Sequence, residues 1–277
     1  MNILIPMAGM GKRFKDMGYG IHKPVIPTTD IRTGRKCPMV VCATKDLPYV
    51  REDGSNVTYI GRDFHVLDGV DRQIYEYFPK ARFLEVDHLT EGQACTCLVA
   101  RKFIDNDEPL LIAGCDNGMV YDREKFDKLC EECDVLVFTF RHNEIACEKP
   151  DGLGWVIVDQ DNNVEDLSIK KAISNNPMDD HAIVATFWFR KGSIFVEAAE
   201  KCIRENDRIN DEFYVDRVIF HALQLGYRVK VFEIDRYIGW GTPTDYEYYE
   251  RTLQYWREFS KKMDFPADCS SSKPVRR

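Results

Sequence analysis

Apolar runs and polar turns alternate along this chain with the rhythm of strands and helices. Continuous apolar or β-branched stretches at 2–6, 57–60, 81–86, 109–112, 135–139, 154–158, 182–189 and 228–234 predict strands. Several are apolar at nearly every position, as strands covered on both faces of a parallel sheet are. Between them, residues 91–103 set Ala94, Cys97, Leu98 and Ile104 near one helical face. Residues 195–205 do the same with Val196, Ala199, Cys202 and Ile203, and 216–225 with Val218, Ile219, Ala222 and Leu223, before Gly226 as a stop. A last helix over 245–259 is rich in Tyr and Trp. The alternation implies an α/β fold, a Rossmann-like, doubly wound sheet flanked by helices. No repeat or Gly/Ser linker divides it, so a single domain over 1–260 is expected, with a polar, disordered tail over 261–277.

Charge narrows the partners. A formal net charge of −8 argues against a nucleic-acid polymer, which calls for a basic face, and leaves a small nucleotide open. No apolar run approaches the roughly 20 residues that span a bilayer, so no membrane partner is expected. The first residues do not read as a signal peptide, and the ten cysteines are scattered, which suits free thiols in a reducing cytoplasm. Cys95/Cys97 and Cys130/Cys133 are lone pairs in helical segments and lack the paired spacing of a zinc site. The six histidines are isolated, without a metal-binding spacing.

The chemistry gathers in a few turns. Strand 2–6 runs into Ala8-Gly9-Met10-Gly11-Lys12-Arg13-Phe14, and Lys23-Pro24 follows ten residues after Arg13. A strand feeding a glycine turn exposes backbone N–H groups, and two nearby cations add fixed charge, which suits a phosphate. Phe14 stands where a dinucleotide fingerprint wants glycine, and no Gly-Lys-Ser/Thr follows, so the loop is neither a Rossmann fingerprint nor a P-loop. Asp116 follows the apolar run 109–112, at the strand end where open α/β sheets bind ligands, and a carboxylate there suits Mg²⁺. Thr90-Glu91-Gly92-Gln93-Ala94 opens a helix; Gly92 admits a close approach, and Gln93 offers a donor and an acceptor to a base edge. Gly152-Leu153-Gly154-Trp155, Ser168-Ile169-Lys170-Lys171 and Asn210-Asp211-Glu212-Phe213 are polar turns beside strands or a helix. The aromatic last helix suits core packing or a homo-oligomer contact.

Taken in order over about residues 1–250, these segments resemble the sugar-1-phosphate nucleotidyltransferases, the pyrophosphorylases that make nucleotide sugars, in the flavour found in capsule and surface-polysaccharide clusters. The resemblance implies a glycosyltransferase-A-like mixed, mostly parallel sheet, and a Mg²⁺-dependent displacement between a nucleoside triphosphate and a sugar phosphate. It implies that Ala8, Gly9, Gly11, Gly92 and Gln93 bind the nucleotide and that Arg13 and Lys23 are catalytic. Gly154, Lys171 and Glu212 fall on the sugar side, and Asp116 is the metal ligand. The chain departs from the family twice. Gly239 stands where many members carry a second metal aspartate, leaving Asp216 and Asp245 as candidates. Lys170-Lys171-Ala172 replaces Glu-Lys-Pro. Those departures keep two other readings in play: a cytidylyltransferase acting on a non-sugar phosphorylated acceptor, and a non-catalytic homologue that binds nucleotide sugar.

Overall fold

The computed structural model describes residues 1–262, the side chains of 146 and 147 excepted. The strands are β1 (Asn2–Pro6), β2 (Pro27–Thr29), β3 (Lys36–Pro38), β4 (Val57–Arg62), β5 (Arg82–Val86), β6 (Leu110–Ile112), β7 (Asn117–Val120), β8 (Val135–Phe140), β9 (Gly154–Val158), β10 (Val164–Ile169), β11 (His181–Phe189), β12 (Val229–Glu233) and β13 (Arg236–Gly239). The helices are α1 (Lys12–Asp16), α2 (Met39–Lys45), α3 (Asp63–Leu67), α4 (Val70–Tyr75), α5 (Gln93–Leu98), α6 (Arg101–Ile104), α7 (Arg123–Glu132), α8 (Glu144–Glu148), α9 (Gly192–Arg204), α10 (Val215–Gln224) and α11 (Pro243–Lys262).

The central sheet runs β10-β9-β11-β6-β1-β4-β5, and β8 pairs with both β11 and β12. Pairings β1–β4, β1–β6, β4–β5 and β8–β12 are parallel, while β11 runs antiparallel to β6, β8 and β9. The fold is therefore the expected mixed, mostly parallel α/β sheet. Alternation explains why the apolar runs are continuous. Ile3, Ile5, Leu111, Leu136 and Phe138 pack into one core, and Leu4, Leu110, Ile112, Val135 and Val137 into the other. Successive side chains of a strand point to opposite faces, so a strand with a core on each side needs an apolar residue at every position.

The helix expected over 91–103 is two pieces, α5 and α6, interrupted at Val99-Ala100. The short strands β2, β3, β7 and β13 form two-stranded ribbons outside the main sheet. Of the expected tail, Lys261 and Lys262 close α11, and 263–277 lie outside the described residues. Every cysteine whose side chain is described is a free thiol, and no group of three or more potential metal ligands occurs among the described residues. No described helix is long and apolar enough to cross a membrane.

Candidate functional site

The loop after β1 and the loop after β6 leave the sheet side by side, because β1 and β6 are parallel neighbours in register. This places the glycine turn next to Asp116. Gly11 takes a left-handed conformation (φ 60°) and begins α1, which turns the chain away from the strand end. A methyl group at Gly9 would meet nothing within 4 Å, so the chain's own packing leaves room there. Phe14 is 1% exposed, and its ring lies 5.5 Å from the Lys23 ammonium. The residue that spoils the dinucleotide fingerprint thus forms the floor under the lysine.

Lys23 opens a 3-10 turn at Lys23–Val25, with Pro24 fixing the backbone at its second position. Its Nζ lies 2.5 Å from Asp116 Oδ2 and donates to the Gly241 carbonyl at 3.2 Å. The pair is largely shielded, with side chains 17% and 31% exposed. Burial opposes the charge on each partner, yet Lys23 is held above its ordinary pKa, chiefly by Asp116. Asp116 is held below the ordinary carboxylate range, by Lys23 first and then by Arg13. Arg13 is exposed on α1, and its charge also reaches Tyr214.

The β7–β13 ribbon closes over this pair. Gly239 faces Asn117 in the ribbon's register, and the Trp240 N–H donates to the Asp116 carbonyl at 2.9 Å. A Cβ at Gly239 would come within 3.0 Å of the Tyr237 ring, which stacks on Phe140 at 4.3 Å. An aromatic ring therefore covers the position where the family resemblance expects a carboxylate. A cavity of about 610 Å³ lies beyond the ribbon, lined by Tyr237, Gly239, Asp245 and Tyr248 among others, and neither Lys23 nor Asp116 lines it. The cluster of cations and carboxylate, rather than this cavity, marks the candidate site.

The remaining predicted residues fall into two neighbouring groups. Gly92 (φ 123°) precedes α5, and a Cβ there would sit 2.5 Å from the Phe213 backbone nitrogen. Phe213 exchanges backbone hydrogen bonds with this segment, donating to the Glu91 carbonyl at 2.8 Å and accepting from the Ala94 N–H at 2.9 Å. The close approach that Gly92 permits is made by the chain itself. Gln93 is half-buried at the first position of α5, Ala8 is buried, and Glu212 is exposed. Gly154 begins β9 against Asp216: a Cβ would meet Asp216 Oδ2 at 2.6 Å. Burial pushes the Asp216 carboxyl up to about 6, with Lys170 opposing. Asp245 accepts from the Thr242 hydroxyl at 2.6 Å at the start of α11. Asp116, Asp216 and Asp245 thus have separate partners and do not form a three-ligand metal cluster among the described residues.

Lys171 is exposed, whereas Lys170 (φ 60°) turns inward. Its ammonium donates to the Gly152 carbonyl at 3.1 Å and lies 5.9 Å from the Tyr214 ring. Sequence reasoning noted Lys170 as a departure from the family pattern but gave it no place in the site, and it gave none to Tyr214, Tyr237 or the Gly241 carbonyl, which lie beside these residues. Only the paired lysines carried a signal, since side-chain direction after a left-handed residue is not legible in sequence.

No family model and no curated protein matches the chain. Solved structures share its fold. The chain is similar to a nucleoside-diphosphate-sugar pyrophosphorylase from Vibrio cholerae RC9, at 18% identity and TM-score 0.72, over 90% of this chain and 99% of that one. It is also similar to the inositol-1-phosphate CTP transferase from T. maritima, at 13% identity and TM-score 0.64, over 91% and 95%. A third likeness is to a UDP-glucose pyrophosphorylase complexed with UDP-glucose, at 17% identity and TM-score 0.63, over 93% and 98%.

Proposed function

We propose that the chain is a nucleotidyltransferase that joins the nucleoside monophosphate unit of a nucleoside triphosphate to a sugar 1-phosphate and releases pyrophosphate. The observation that carries this reading is the shielded Lys23–Asp116 pair, 2.5 Å apart beside the open Gly9–Gly11 turn. The names of the proteins sharing the fold support nucleotidyl transfer as the reaction class.

Such a reaction asks little covalent help of the protein. Two polyanions must be brought together and charge spread over the reacting phosphorus. Backbone N–H groups of the Gly9–Gly11 turn and the Arg13 guanidinium hold the β- and γ-phosphates. Lys23 exchanges Asp116 for the α-phosphate and neutralises the departing pyrophosphate. The sugar phosphate oxygen attacks in line, held by Lys170 and Lys171 from the β10 side. Gln93 reads the base, and Gly154 and Glu212 border the sugar. A divalent cation such as Mg²⁺, when bound, supplies Lewis-acid neutralisation of phosphate charge. Asp116 fits it: an ionised carboxylate completed by substrate phosphates is a donor set Mg²⁺ commonly takes. Free thiols suit a reducing cytoplasm, and nucleotide sugars of this kind suit surface-polysaccharide synthesis.

The test is a pyrophosphate-release screen of four nucleoside triphosphates against a panel of sugar 1-phosphates and other phosphorylated acceptors, with Mg²⁺. Release that requires both substrates, and falls at least 100-fold in Lys23→Ala with the fold intact, supports the reading. Release with full rate in Lys23→Ala removes that residue from the chemistry.

A further inference from the structure

Helix α11 leaves an aromatic stripe in solvent. Tyr248, Tyr255, Trp256 and Phe259 are 65%, 60%, 55% and 38% exposed. At 100° per residue, Tyr248, Thr252, Tyr255 and Phe259 recur at alternating steps of four and three, which is the repeat of a helix–helix seam, with Trp256 flanking it. The opposite side of the helix is already used: Tyr246 is buried, and Tyr249 donates to the Thr29 carbonyl at 2.5 Å. Tyr255, Trp256 and Phe259 touch one another, with ring centroids 5.5 to 6.3 Å apart. At about 200 Å² per aromatic side chain, the stripe exposes about 400 Å². That is the scale at which an apolar patch marks an interaction surface, and about half of what each partner of a stable complex buries.

We infer that this stripe is a homodimer seam, in which α11 packs antiparallel against α11 of a second copy. Charge selects both the occupant and the direction. Arg251 and Glu258 are exposed and lie on the same flank of the stripe, seven residues apart. Their contacts are local to the helix: Arg251 Nε donates to the Glu247 carbonyl at 3.3 Å, and Glu258 accepts from Gln254 at 3.0 Å. In an antiparallel pair with its two-fold axis between Thr252 and Tyr255, Tyr248 of one chain faces Phe259 of the other. Arg251 then meets Glu258 of the other chain, and the pair occurs twice by symmetry. A parallel pair would place the flank that carries Arg251 and Glu258 against the opposite, Trp256-bearing flank of the other chain, so the two charges would not meet. The surface is thus complementary to itself in one direction only. The contacts at Tyr248–Phe259 span about 17 Å of helix, so the dimer is modest in size and in exchange with monomer.

Sedimentation equilibrium of the full chain from about 1 to 200 µM tests this. A monomer–dimer equilibrium in the wild type is expected, with Tyr255→Glu monomeric throughout and its melting temperature unchanged. Arg251→Glu weakens the dimer at least threefold, and the charge swap Arg251→Glu/Glu258→Arg restores it. Trp256 supplies a second readout. Of the four tryptophans, Trp155, Trp188 and Trp240 are at most 4% exposed, so iodide quenching reports Trp256 and falls with protein concentration. A wild type that stays monomeric at 200 µM overturns the proposal. A dimer that survives Tyr255→Glu, or a charge swap no better than the single reversal, overturns it as well.

Discussion

Gly9 and Gly92 are both expected at the nucleotide end, but they are glycines for different reasons, and alanine at each separates the two. At Gly92 the backbone holds φ 123° and ψ 175°, a region open almost only to glycine. Forcing alanine there costs about 1–3 kcal/mol. The new Cβ would also sit 2.5 and 2.6 Å from the Phe213 backbone nitrogen and oxygen, neither of which can rotate away. Overpacking of that kind adds about 1–3 kcal/mol. Gly92→Ala is therefore expected to lose about 2–6 kcal/mol of stability, a fall of about 5–20 °C in melting temperature for a chain of this size. At Gly9 the methyl group meets nothing within 4 Å and the backbone is not left-handed, so Gly9→Ala stays within about 0.5 kcal/mol of wild type. It intrudes instead where phosphate backbone contacts are proposed, and triphosphate affinity is expected to fall about tenfold, or 1.4 kcal/mol. Urea unfolding and calorimetric titration of a nonhydrolysable nucleoside triphosphate read the two effects separately. Gly92→Ala with unchanged stability, or Gly9→Ala with unchanged affinity and lowered stability, would refute the reasoning.

Four further outcomes follow from the same geometry. Lys23→Met leaves Asp116 without its cation and costs about 1–3 kcal/mol at pH 7, less than a fully buried pair because the carboxylate is partly exposed. Since the folded pKa of Asp116 lies below its unfolded value, the wild-type advantage is fully present above about pH 4 and is lost as pH falls through the folded value, so the gap between the unfolding curves of wild type and variant should narrow steadily as pH falls below about 4. Asp216 has the opposite sign: burial raises its folded pKa to about 6, so ionisation weighs against the fold as pH rises from about 4 to 6, and Asp216→Asn should gain about 1–3 kcal/mol at pH 8 and nothing at pH 4. Arg13→Ala should leave the melting temperature unchanged while weakening triphosphate binding, because the side chain is exposed. Lys170→Ala should raise the acceptor KM more than Lys171→Ala, because Lys170 turns toward Tyr214 and Asp216; equal effects from the two lysines would remove that distinction.

The sheet was legible because its strands are buried on both faces. A run such as Val135–Phe140 can hardly be anything else, and β1 and β9 fall where the apolar pattern places them. The ribbons were not legible for the converse reason. Asn117–Val120 and Arg236–Gly239 are short and mixed in polarity, and they are strands because they pair with each other across more than a hundred residues. The same distance hides the site's assembly. Lys23, Asp116 and Gly241 each belong to a turn that reads locally as solvated, and only the parallel register of β1 and β6 and the β7–β13 pairing bring them together. Gly92 shows the limit most clearly, since nothing in its own segment announces that the Phe213 backbone is its neighbour.

The central claim is that the Lys23–Asp116 pair is the reacting centre of a nucleotidyl transfer. The most direct measurement follows pyrophosphate from the wild type, Lys23→Ala and Asp116→Ala, each with the best triphosphate and acceptor from the screen, alongside calorimetric binding of the same triphosphate. The account predicts release that needs both substrates and a divalent cation in the wild type, and a loss of at least 100-fold in each variant with the fold retained. Triphosphate binding without pyrophosphate release, from a folded wild type and with every acceptor, would contradict it.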